Sequence, residues 1–179
     1  LILLTHFVAV GTIGCNIDRT GKDLRIFNDE FRKAEVALIE SDFENAEIHC
    51  NRASDIGEKM KWSDGIVMAK RKCADVSASR GDFLDARIRY EKVRDLCISL
   101  DDCSPGQFAS STDKLVELNS SKLRNPTRVL EIVNDTIRYR SRLEPDENVS
   151  SIIRNYCTFL TTFGFQVEAA NCWDLQKQL

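Results

Sequence analysis

A six-residue pattern occurs twice at a spacing of forty: Ser41-Asp42-Phe43-Glu44-Asn45-Ala46 returns as Gly81-Asp82-Phe83-Leu84-Asp85-Ala86. Recurrence at this spacing constrains the chain more than any single residue, because a repeat unit buries its apolar face only against its neighbours. Glycine at the first place supports a tight turn, aspartate at the second can cap the helix that follows, and the aromatic seals the corner. A small residue at Ala46 or Ala86 lets the second helix of the unit approach the first. Two weaker copies follow, Asn125-Pro126-Thr127-Arg128-Val129-Leu130 and Gly164-Phe165-Gln166-Val167-Glu168-Ala169. The packing residues then fall at 46, 86, 130 and 169, with steps of 40, 44 and 39. Twelve positions earlier stand Ala34, Ala74, Leu118 and Cys157, the contacts expected from the preceding helix.

Apolar residues within each unit step by three and four, the period of an amphipathic helix. Phe83, Ala86, Tyr90, Val93, Cys97 and Leu100 form one stripe; Leu24, Phe27, Phe31, Ala34 and Leu38 form another. Ile153, Tyr156, Cys157, Leu160 and Phe163 continue the pattern near the end. With eight glycines and three prolines in 179 residues, the chain lacks the turn residues that a sandwich or barrel requires. Pro105 and Pro145 mark breaks between helices. The pattern predicts an all-α solenoid of about four hairpins, with eight antiparallel helices near 24–40, 43–61, 64–80, 83–100, 110–124, 126–142, 146–163 and 165–178.

These residues resemble the tetratricopeptide repeat, with a small residue in the first helix, a Gly-Asp-aromatic turn, then alanine and an aromatic in the second helix. The second copy matches best, through Ala74, Gly81, Asp82, Phe83, Ala86 and Tyr90. The usual repeat has about 34 residues, so a mean step near 41 is similar to the long-helix variety of the family. The resemblance covers residues 24–179 and implies a noncatalytic scaffold whose first helices line a concave groove for a protein or peptide. On that pattern the groove carries Phe31, Glu35, Leu38, Arg71, Asp75, Leu115, Asn119, Arg154 and Thr158. Arg71 and Arg154 take equivalent places in the second and fourth hairpins, where two guanidinium groups suit an acidic ligand. The family's carboxylate clamp of interleaved Lys, Asn and Arg is not reproduced. Four periods of 41 fill the 164 residues from Asn16 to Leu179, which leaves none for a polar terminal cap. An oligomer contact or further repeats are therefore expected on the last face.

Leu1 to Gly14 contains no Asp, Glu, Lys or Arg. As a helix it would rise about 21 Å, short of a hydrocarbon core of about 30 Å, so it reads as an export signal and not as a membrane span. Its end, Thr12-Ile13-Gly14-Cys15, resembles the lipobox of bacterial lipoproteins. The resemblance implies lipidation of Cys15, residence in the bacterial cell envelope (periplasm or outer membrane), and membrane attachment through that anchor alone. The expected organisation is a signal over 1–15, a linker over 16–23 and a helical repeat domain over 24–179. Two other roles suit the same fold: a cytoplasmic regulatory piece of a larger signalling protein, and the helical accessory part of an enzyme.

A net charge of −3, with no clustered excess of Lys and Arg beyond Lys70-Arg71-Lys72, which reads as a solvated helix face, excludes a nucleic-acid footprint. His6 and His49 are the only histidines and no C-x-x-C pair exists, so no zinc site is expected. Phosphate-binding and dinucleotide-binding glycine loops are missing, and no cofactor is expected. Cys50, Cys73, Cys97, Cys157 and Cys172 fall on or beside apolar stripes, where cysteine acts as a small hydrophobe. Without Cys15, six cysteines remain; they permit fifteen pairings in an oxidising compartment, while buried free thiols are the expected state. Carboxylate pairs such as Asp101-Asp102 and Asp146-Glu147 sit at helix starts, where they offset the helix dipole. The chain is therefore expected not to be an enzyme.

Overall fold

A computed structural model describes residues 11–100, 102–140 and 149–178, with side chains from residue 21 onward. Among the described residues there are eight helices and no strand: α1 (Gly11–Ile39), α2 (Phe43–Met60), α3 (Ser63–Arg80), α4 (Phe83–Ser99), α5 (Pro105–Ser121), α6 (Pro126–Arg138), α7 (Val149–Thr162) and α8 (Gln166–Gln176). Each helix packs against the next, forming an α-solenoid of four hairpins. The odd helices also touch one another in series, α1 with α3, α3 with α5 and α5 with α7. Of the even helices only α6 and α8 approach comparably, so the odd helices form the inner row around which the hairpins curve.

Most helix ends fall within a few residues of the expected ones. Helix α1 differs, because it takes in the whole expected linker over 16–23. That stretch holds no proline and a single glycine, Gly21, so nothing in it stops a helix. Residues 1–10 and the side chain of Cys15 lie outside the described residues, so the signal and lipidation expectations fall there too. Helix α5 starts at Pro105, five residues ahead of expectation, because proline is well suited to the first helical position.

The repeated turns work as their residues dictate. Asp42 and Asp82 each accept a hydrogen bond from the backbone N–H three residues on, at 3.2 Å, capping α2 and α4. Gly81 (φ 88°) and Gly164 (φ 80°) adopt the left-handed conformation that ends α3 and α7, and Ser41 (φ 61°) does so at the equivalent place. The third copy is read one residue off by its sequence. Its cap is Asn125, whose side chain accepts from the Arg128 N–H at 3.1 Å. The packing residue is therefore buried Val129, and Leu130 is only partly covered. The four backbone bonds Ala46→Asp42, Ala86→Asp82, Val129→Asn125 and Ala169→Phe165 then recur at steps of 40, 43 and 40.

The preceding turn explains the slip. In three copies the cap N–H reaches a carbonyl five residues back, Asp42 to Ala37, Asp82 to Ser77 and Phe165 to Leu160. In the third copy Asn125 reaches Asn119, six back, so this turn holds one extra residue. The register of α5 moves by two places as a result. Val116 stands where Ala34, Ala74 and Cys157 stand in the other hairpins, and all four are fully buried.

The core between α1, α2 and α3 is built in tiers: Phe27 with Ala53 and Ala69, Ala34 with Cys50 and Cys73, Ala37 with Ala46 and Val76. Trp62 meets Phe27 edge-on at 4.8 Å between centroids, and a Cβ at Gly65 would lie 2.3 Å from the Trp62 ring. From α3 to α8 one continuous cluster includes Tyr90, Leu115, Ile132, Ile153 and Leu160.

Ala86 is fully buried at its interhelical contact, whereas neighbouring Leu84 is 60% exposed. Ala86→Leu is expected to cost about 1–3 kcal/mol through overpacking, and Leu84→Ala to stay within about 0.5 kcal/mol. Urea unfolding of the two variants checks this; equal midpoints would place the contact elsewhere.

A second expectation concerns acid. The buried Ser77 hydroxyl donates to Asp85 Oδ2 at 2.6 Å, tying α3 to α4. This bond holds the Asp85 carboxyl below its ordinary range against the opposing effect of burial, with Arg89 assisting. Stability from the pair is present above the usual aspartate pKa and lost as pH falls through the lowered value. The stability gap between wild type and Ser77→Ala should therefore close as pH drops below about 4. A gap that is constant with pH would refute the coupling.

Candidate functional site

The inner surface made by α1, α3, α5 and α7 repeats two outward positions on each helix. With the α5 register corrected, one row reads Phe31, Arg71, Asp113 and Arg154, and the next reads Glu35, Asp75, Glu117 and Thr158. Phe31, Glu35, Arg71, Asp75, Arg154 and Thr158 lie on this face, half-buried or exposed. Leu115 and Asn119 do not. Both are fully buried in the core, because the extra turn residue rotates them inward and brings Asp113 and Glu117 to the surface instead. Leu38 is partly buried and packs, like Phe43, against the Ala37, Ala46 and Val76 tier beside the α1–α2 turn.

Polar contacts order this face. Lys72 Nζ reaches Glu35 at 3.1 Å and sits over the Phe31 ring at 5.3 Å. Asp75 accepts the Tyr90 hydroxyl at 2.5 Å; burial first, and the Asp75 charge second, push that phenol far above its usual range. Asp113 accepts the Tyr156 hydroxyl at 2.8 Å, and Lys114 pairs with Glu117 at 3.2 Å. Arg71 and Arg154 are separated in the row by the Asp113 carboxylate, so they do not form a continuous basic strip. Two clefts open on the face. One, of about 180 Å³, lies between α3 and α5 beside Phe83, Tyr90 and Glu117. The other, of about 440 Å³, lies between α5 and α7, with Asp113 and Glu117 facing Phe159 and Phe163.

The cysteines overturn the expectation of free thiols. Cys50–Cys73, Cys97–Cys103 and Cys157–Cys172 are disulfide-bonded, with Cα separations of 5.6, 5.3 and 5.4 Å. They join α2 to α3, the end of α4 to the approach to α5, and α7 to α8. The pairing was hidden because each cysteine sits where a buried hydrophobe also fits. The short spacing of Cys97 and Cys103 was the one usable signal.

A buried arginine was missed as well. Arg94 is 2% exposed, reaches Asp135 at 3.3 Å and lies over Phe108 at 5.5 Å, bracing α4, α5 and α6 from within. Among the described residues no group of three His, Cys, Asp or Glu side chains could hold a metal ion. No described helix is long and apolar enough to cross a membrane. No protein-family model matches the chain, and no curated protein matches it in sequence.

The disulfides are expected to differ in worth with the loop each closes. Chain-entropy reasoning gives about 3 kcal/mol for Cys50–Cys73 and Cys157–Cys172, which span 23 and 15 positions, and about 2 kcal/mol for Cys97–Cys103, which spans 6. Paired Cys→Ala replacements, followed by chemical unfolding, should reproduce that order. The loss of least stability from Cys50–Cys73 would contradict it.

Proposed function

We propose that this protein is a noncatalytic interaction scaffold of the tetratricopeptide type, holding a protein or peptide segment along α1, α3, α5 and α7. One observation carries the reading. The inner rows present six charged side chains together with Phe31 and Thr158 beside two open clefts, over a buried core. Such a surface can recognise an extended chain without reorganising its own core.

Three disulfides within one chain of this size favour an oxidising compartment. They support export over a cytoplasmic role and agree with the lipobox-like Thr12-Ile13-Gly14-Cys15. In this reading Cys15 carries the lipid and the solenoid stands in the cell envelope. Mass spectrometry of the mature N-terminus should then find an acylated Cys15, and an unprocessed N-terminus would remove the anchor from the proposal.

The groove itself is tested by photo-crosslinking in the native host. A benzoylphenylalanine at Thr158, on the inner row, should give discrete adducts that the same probe at Leu84, on even helix α4, does not give. Equal adducts from both positions would overturn the assignment of the inner face.

A further inference from the structure

The first and third junctions of the inner row share a carboxylate but differ in what answers it from the next helix. At the first, Glu35 of α1 is answered across the junction by Lys72 of α3, whose ammonium also lies over Phe31. This is a complete site for a cation, with a carboxylate at 3.1 Å and a ring face at 5.3 Å. In the corrected register, the counterpart of Glu35 at the third junction is Glu117, and the counterpart of Lys72 is Asn155 of α7. Asn155 carries no charge. The carboxylate is kept at this junction, and the cation that answers it across the first junction is replaced by an amide.

The α5–α7 cleft supplies a carboxylate and ring faces from its own positions. Asp113 and Glu117 are four residues apart, on one face of α5. Tyr156 donates its hydroxyl to Asp113 and so orients that carboxylate. Opposite them Phe159 and Phe163 stand parallel, 6.3 Å apart with an interplanar angle of 2°. The Glu117 carboxylate beside a pair of rings suits a long side chain with an apolar stem and a cationic head. Lys114, on the same helix as Glu117, pairs with it at an exposed position (48% and 56% exposed). An exposed pair of this kind is worth little and yields readily to a better-placed cation.

We propose that the α5–α7 cleft takes a lysine or arginine side chain of the bound peptide segment, supplying from the partner the cation that Lys72 supplies in cis at the first junction. The inference rests on the reading of the inner face as a peptide groove and adds the chemistry of the ligand. It also reverses the acidic ligand that Arg71 and Arg154 suggest.

The test uses the full chain and capped octapeptides identical except at one central position, which is Arg, Lys, citrulline or Glu. Binding is measured by calorimetry, with the ring signals of Phe159 and Phe163 followed by NMR. Arg and Lys peptides should bind at least about fivefold more tightly than citrulline and Glu peptides, and should shift both rings. Glu117→Gln should erase that preference. Asn155→Lys, which restores a cation in cis, should weaken the Arg peptide about fivefold, while Leu84→Ala, on α4 and off the inner face, leaves it unchanged. All three substitutions lie outside the core, and unchanged helicity and melting confirm the fold. Peptides that bind the inner face without charge preference, or a preference that survives Glu117→Gln, overturn the inference and leave the groove standing. Failure of every peptide at about millimolar concentration overturns both.

Discussion

Close approach of two helices at the fourth residue of each even helix is the contact on which the array depends. Ala46, Ala86, Val129 and Ala169 fill that place, each buried and each donating its N–H to the capping residue of the same turn. Turn and contact are therefore one unit. The cap sets where the even helix begins, and its start decides which residue meets the odd helix. A bulky side chain there would separate the helices and strain the turn together, because interiors at native packing density have no slack. In the first hairpin Ala46 meets Ala37, and Ala34, about one turn away, meets Cys50; the equivalents of Ala34, namely Ala74, Val116 and Cys157, are fully buried too. Small residues on both sides bring the axes close enough for the odd helices to touch in series and form a continuous inner row.

The same choice limits what the core can contribute. Burying an alanine removes far less apolar surface from water than burying leucine or phenylalanine. The tiers of the first three helices are mostly alanine, with Phe27 and Val76 the large exceptions. Cys50–Cys73 occupies the middle of these tiers beside Ala34. A disulfide is no larger than the space available there, yet it constrains the unfolded chain, so it offsets a thin core without widening it. Cys157–Cys172 does the same in the last hairpin, where α8 is only 11 residues long. Covalent cross-links and close helix packing are thus two parts of one design.

Features set by neighbours in the chain were legible in the residues; features set across space were not. The helices, the Asp42 and Asp82 caps and the positive-φ places at Gly81 and Gly164 all follow from local chemistry, and the structure has them. The third hairpin was misread because its turn has one residue more, and no apolar stripe records the length of a turn. That one residue led the sequence to offer Leu115 and Asn119 as surface residues, where the structure exposes Asp113 and Glu117. The disulfides were illegible for a related reason. Cysteine satisfies a helical stripe whether or not a second cysteine faces it, and only the tertiary register brings Cys50 to Cys73.

Register also decides what the inner face can recognise. Its rows sit beside the packing positions but share none of their steric limits, so they change freely from hairpin to hairpin: Phe31, Arg71, Asp113, Arg154 in one, Glu35, Asp75, Glu117, Thr158 in the other. Each junction can therefore carry its own charge pattern over an unchanged scaffold. Where two successive helices supply opposite charges, as Glu35 and Lys72 do, the junction satisfies itself and gains rigidity. Where the second helix offers Asn155 instead, the carboxylate of Glu117 faces an open cleft lined by aromatic rings. Under the proposed peptide-groove reading, a solenoid with both kinds of junction would hold its shape at one end and leave recognition to the other. Whether the shared carboxylate is answered from the next helix turns on one pair of equivalent places, Lys72 and Asn155.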